Sequence, residues 1–159
     1  MARDLPLAEL GAAIVREVIA ALRGTLAAVS PVDPRRFIAD HLCATLLGFV
    51  VRGDSALLLS VGDGSVRVDE EVTSLDAASP PSYLAYALLG RTPRVEARVV
   101  RVERAVGVAT DGVSLSGLRA LSPQAPSLTR HLVLMERRGE LFDDGGVAMA
   151  VRKPKEASS

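Results

Sequence analysis

An α+β layered domain is what this sequence predicts, and three observations predict it. Apolar residues recur at helical spacing near the amino terminus and again after Ser127. Short apolar or alternating runs fill the stretch between, as strands do. Those runs mostly follow one another through short turns, which suits consecutive antiparallel strands rather than a doubly wound parallel sheet.

The elements follow in order. Leu7, Leu10, Ile14, Val18, Leu22 and Leu26 mark one face of a helix over Leu5 to Val29, with Asp4 as cap and Pro6 in the first turn. Glu9, Arg16, Glu17 and Arg23 fall on its other faces, so one side should be covered and the rest solvated. Asp33 and Pro34 restart the chain as cap and first residue of a short helix that packs through Phe37, Ile38 and Leu42. Ala44 to Val51 and Ala56 to Val61 are apolar runs joined by Arg52-Gly53-Asp54-Ser55, which predicts a β-hairpin. The Arg-Gly-Asp triplet is explained by that turn, without an adhesion role. Gly62-Asp63-Gly64 turns into an alternating strand, Ser65 to Asp69, expected to be half exposed. Glu70 to Pro81 reads as loop, and Tyr83 to Leu89 as a short helix stopped by Gly90. The apolar phase slips after Val99, which predicts a bulge or bend before the buried strand Ala105 to Thr110. Helical spacing returns from Ser127 to Arg138, and Val147 to Val151 closes the domain. The polar tail, residues 153–159, is expected to be disordered.

Composition narrows the function classes. The chain has 159 residues, 48% hydrophobic and 24% charged, enough for one domain with a sizeable core. Its formal net charge is zero and no basic block is interleaved with aromatics, so a nucleic-acid partner is not expected. Cys43 is the only cysteine; that excludes an internal disulfide, and its apolar neighbours point to a buried structural thiol. No signal-peptide pattern and no uncharged span of about 20 residues appears, so a soluble cytoplasmic protein without a membrane partner is expected. His41, beside Asp40, could act as a general base but reads first as a solvated or hydrogen-bonded histidine, and His131, on the apolar stripe of the last helix, as a packing one.

The chemistry converges on two acids. Asp111-Gly112 breaks the chain where the buried strand Ala105 to Thr110 ends, which parks a carboxylate at a strand terminus. An ionised carboxylate there needs a hydrogen-bonding loop, a cation or a metal. Asp143-Asp144-Gly145-Gly146 precedes the last strand. If those two strands are antiparallel neighbours, Asp111 and Asp143 meet at one end of the sheet, within reach of one hard cation.

The order of features resembles the bacterial metal-dependent protein phosphatases of type 2C, the PPM family. The resemblance rests on a helix, Ala44-Thr45-Leu46-Leu47 opening a hairpin, Val61-Gly62-Asp63-Gly64, Ala109-Thr110-Asp111-Gly112-Val113-Ser114, and the terminal Asp143-Asp144. It spans residues 1–152, and it implies an α-β-β-α sandwich of two antiparallel sheets flanked by helices. It further implies magnesium or manganese ions that activate water against phosphoserine or phosphothreonine. Asp111, Gly112 and Asp143 carry over as metal-site residues, while Thr45 and Asp63 match structural positions.

The departures from the family pattern matter as much. The family's first strand with its Arg and acid, and its Asp-Gly-x-Gly-Gly hairpin, are expected to be missing, so the domain reads as truncated at its amino terminus. Leu115 stands near where many members place a further acid. A two-ion hydrolase needs shared oxygens bridging ions about 4 Å apart, and two monodentate aspartates cannot build that. The partners implied are a phosphoprotein substrate or a regulatory protein, and lost strands leave an exposed sheet edge through which the chain could oligomerise.

Overall fold

The computed structural model describes residues 5–75, 82–120, 128–139 and 145–152. Helix α1 runs Leu7–Val29 and α2 runs Pro34–His41. Then come strands β1 (Leu46–Arg52), β2 (Ser55–Val61), β3 (Gly64–Val68) and β4 (Glu71–Leu75), followed by a 3-10 helix at Leu84–Leu89. Strands β5 (Glu96–Arg101) and β6 (Ala105–Ala109), helices α3 (Leu115–Ala120) and α4 (Leu128–Arg137), and strand β7 (Val147–Val151) complete the order.

The strands form two antiparallel sheets, ordered β1-β2-β5 and β4-β3-β6-β7. Period-two alternation sorts their side chains. Ala56 and Leu58 of β2 meet Val66, Val106 and Val108 of the second sheet, and this buried cluster is the core between the sheets. On the outer side of the second sheet, Ala109 packs with Val113, Leu118 of α3 and Met135 of α4. Helix α1 covers the first sheet, where a Cβ at Gly11 would lie 3.2 Å from that of Ala97. The result is the α-β-β-α sandwich expected.

Local chemistry explains the boundaries. Asp33 caps α2 by accepting the Arg36 N–H at 3.1 Å, with Pro34 in the first turn. Helix α1 starts after Pro6 without a side-chain cap; Asp4, expected to cap it, lies outside the described residues, as does the tail from Lys153 to Ser159. Arg52 and Asp54 of the hairpin turn are both engaged, Arg52 on the Leu5 carbonyl and Asp54 with Arg152. Three expectations need correction. Glu71–Leu75, read as loop, is the edge strand β4. Strand β3 is buried rather than half exposed, because α3 covers the face that carries Arg67. Of the bulge or bend expected, β5 has no bulge, its pairing with β2 running unbroken from Ser60↔Glu96 to Ser55↔Arg101, and the chain bends only past the strand, at Glu103 and Arg104. The apolar slip has a different cause, since Val100 joins the core while Val99 faces outward, 47% exposed.

Asp69 ties the end of the sandwich remote from the β2–β3 turn. It holds a left-handed backbone, φ 53°, and its carboxylate accepts the N–H groups of Glu103, Arg104 and Ala105 at 2.6 to 3.2 Å. Partial burial pushes its pKa up, but the backbone donors of Ala105, Arg104 and Glu103 and the charge of Arg104 outweigh this and hold it below the ordinary value. The carboxyl therefore ionises at lower pH in the folded chain than in the unfolded one. Its stabilisation should be complete above the unfolded value of about 3.9, and be lost as pH falls through the folded value. Asp69→Ala should cost about 2 to 3 kcal/mol at neutral pH. Asp69→Asn, which keeps an acceptor, should cost less and flatten the acid limb of a urea-unfolding pH series.

Candidate functional site

The strand ends that carry the predicted site residues meet at one rim. Registers Leu46↔Val61, Ser65↔Ala109 and Ala109↔Val147 place the start of β1, the end of β2, the start of β3, the end of β6 and the start of β7 together. Gly62 and Asp63 cross from one sheet to the other there. The Asp63 carboxylate accepts the Thr45 hydroxyl at 2.9 Å in a partly buried bond, so this pair fastens the start of β1 to the turn between the sheets.

Beyond β6 the chain makes a tight turn in which the Val113 N–H donates to the Thr110 carbonyl at 3.0 Å. Asp111 and Gly112 are its central residues. Asp111 is exposed at the rim, and Gly112 and Val113 are buried. Ser114 then accepts the Gly117 N–H at 2.9 Å and caps α3. The turn is fixed from β7 as well. The Thr110 N–H donates to the Gly146 carbonyl at 2.9 Å, and the Gly146 N–H donates to the Thr110 hydroxyl at 2.8 Å. Strands β6 and β7 are thus antiparallel neighbours, the condition under which the sequence brings its two acids together. Asp143 itself lies outside the described residues.

Tyr83, which the sequence did not single out, belongs to the same neighbourhood. Burial first, and then the negative charges of Asp63 and, more weakly, Asp111, push its phenol pKa up. The only signal for it was a tyrosine at the start of a short helix. Cys43 is half-buried rather than buried, and desolvation pushes its thiol pKa up, which keeps it a poor nucleophile. His41 is exposed and stacks obliquely on Phe37, 5.0 Å between ring centres; the side chain of His131 lies outside the described residues.

Among the described residues no three histidine, cysteine or carboxylate side chains gather closely enough to hold a metal. A paired-ion centre needs several bridging and terminal oxygens, and of the predicted set only Asp111 and Gly112 lie among the described residues.

A family model described as "Protein phosphatase 2C" matches residues 5–144. The chain belongs to the protein phosphatase 2C family. No curated protein matches it in sequence. Among solved structures it is similar to the phosphatase domain of the cell fate determinant SpoIIE from Bacillus subtilis, at 14% identity and a TM-score of 0.47, covering 99% of this chain and 78% of that one. It is also similar to the catalytic domain of the serine threonine protein phosphatase PstP in complex with two manganese ions, at 17% identity and a TM-score of 0.45, covering 88% of this chain and 81% of that one. Within this phosphatase 2C domain, no helix among the described residues is long and apolar enough to cross a membrane.

Proposed function

We propose that this phosphatase 2C domain holds one weakly bound, largely hydrated magnesium or manganese ion at its rim through Asp111, Gly112 and Asp143. Hydrolysis of phosphoserine or phosphothreonine in a protein substrate then requires ligands beyond those three. The observation that carries this reading is the Thr110–Gly146 pair, which fixes the Asp111 turn beside the strand that Asp143-Asp144 precedes. A cation with few charged ligands binds weakly, and magnesium asks for near-octahedral oxygens that two aspartates do not supply. Cytoplasmic signalling is the setting such a reaction implies.

Titration calorimetry of the chain with manganese chloride tests the ion site. Asp111→Asn should weaken binding by at least about tenfold, because it removes a charged ligand. Unchanged manganese affinity in that variant would sink the rim assignment. A second reading, a pseudophosphatase that binds and regulates a protein partner without hydrolysis, draws on Leu115, which stands near where many members of the family place a further acid. Manganese-dependent phosphate release from a phosphothreonine peptide by the purified chain would rule it out.

A further inference from the structure

Strand β5 presents a surface that the rim does not use. It is the last strand in the order β1-β2-β5, and no described strand pairs with its other side. Glu96, Ala97, Arg98 and Val99 are all exposed. An unpaired row of N–H and C=O groups is a template for another strand. The register with β2 decides which way the side chains point. Glu96 and Arg98 stand opposite Ser60 and Leu58, on the side facing the gap between the sheets, whereas Ala97 and Val99 stand opposite Leu59 and Leu57 on the α1 side. That gap is a cavity of about 720 Å³ whose lining includes Leu58, Val66, Leu75, Glu96 and Arg98.

Self-complementarity identifies the strand that fits. A two-fold axis normal to the sheet keeps faces matched, so only residues of like parity can stand opposite one another. With the axis at Ala97, Glu96 meets the partner's Arg98, Arg98 meets the partner's Glu96, and Val95 meets the partner's Val99. An axis at Glu96 or Arg98 instead sets like charges against each other, and an axis at Val99 leaves both charges opposite valines. Cross-strand pairs of opposite charge stabilise a sheet and like charges oppose it. Among the described residues Glu96 pairs with Arg94, at 2.9 Å, and no ion pair joins Arg98.

We propose that two copies of this chain join edge to edge along β5, antiparallel about Ala97, so that the three-stranded sheets of the two copies become continuous. The contact is one strand long and therefore small, which makes a reversible dimer rather than an obligate one. The inference depends neither on a metal nor on hydrolysis.

Sedimentation equilibrium of the full chain tests it, with reductant present so that Cys43 cannot link chains. The wild type should move from monomer to dimer as concentration rises. Arg98→Glu and Glu96→Arg should each shift that transition to at least tenfold higher concentration by setting like charges opposite. The double variant Glu96→Arg/Arg98→Glu should restore it, and its recovery also shows that the single variants fold. A mass that stays at one chain up to about 1 mM, the weak limit of specific association, would overturn the proposal and leave the inward charges as guards against edge pairing. Dimers that survive both single changes, or that the double variant fails to restore, would overturn it too.

Discussion

Replacing Gly64 by alanine should destabilise the domain by at least about 3 kcal/mol. Two independent costs add at this position. The backbone lies at φ +131°, where a side chain is strained. A Cβ there would also sit 2.5 Å from the Ala109 carbonyl oxygen and 2.6 Å from Leu47 Cδ1. Leu47 can rotate; the Ala109 carbonyl cannot, because it belongs to β6, which pairs on both sides. Relief must therefore move the end of β6, and Thr110 and Asp111 follow directly. Urea unfolding measures the loss. Gly24→Ala is the control: that glycine lies within α1 with nothing within 4 Å of its added Cβ, so alanine should stabilise by up to about 1 kcal/mol. A Gly64→Ala domain as stable as the wild type would show that β3 and β6 are not packed as closely as described.

Gly64 also shows how far residue patterns reach. The turn at Gly62-Asp63-Gly64 was legible because two glycines around an aspartate between apolar runs leave few alternatives. That the second glycine lies against a carbonyl from a strand more than forty positions later was not, since nothing local encodes which strand lies beside it. Helix α1 and the first hairpin were legible for a similar reason: each is built from contacts within its own stretch. Strand β4 was not. Its Glu71-Val72-Thr73-Ser74-Leu75 places Thr73 towards the gap between the sheets and Val72 under the outer helices, so its apolar residues do not alternate cleanly. Helix α3 has six residues, too few for a periodic signal, and was not expected.

The site divides the same way. Asp111 at the end of a buried strand was visible from an apolar run followed by Asp-Gly, and the structure places it in a rim turn held by Thr110. Tyr83 was invisible because its link to that rim is spatial, through a segment that the sequence marks only as a short helix. Asp69 read only as the last residue of an alternating strand. Its importance comes from three backbone donors that arrive from the other side of a long connection.

Arg67→Met should cost about 3 kcal/mol and Arg67→Lys about 1 to 2 kcal/mol, although an arginine in an alternating strand reads as solvent-facing. The residue is 4% exposed. Its guanidinium donates to the Asp69 carbonyl at 2.7 Å and to the Leu118 and Arg119 carbonyls at 3.2 Å each. The last two end α3, where carbonyls lack helical partners and carry the negative end of the helix dipole. Glu70 adds little, being 3.8 Å away with its side chain 71% exposed. Two effects compete when methionine replaces the arginine. Removing a buried charge recovers its desolvation cost. Leaving the buried Leu118 carbonyl without a donor costs about 1 to 3 kcal/mol, the part-buried Asp69 and Arg119 carbonyls add smaller amounts, and with three affected the loss wins. Lysine keeps the charge but offers a point donor in place of a planar fork, so it falls between. The order wild type, Lys, Met is the claim, and Met matching or exceeding wild type in urea unfolding would mean that desolvation dominates. Because Arg67 fastens the end of α3, and Ser114 at its start leads back to the Asp111 turn, the Gly117 amide should exchange faster with deuterium in Arg67→Met under native conditions.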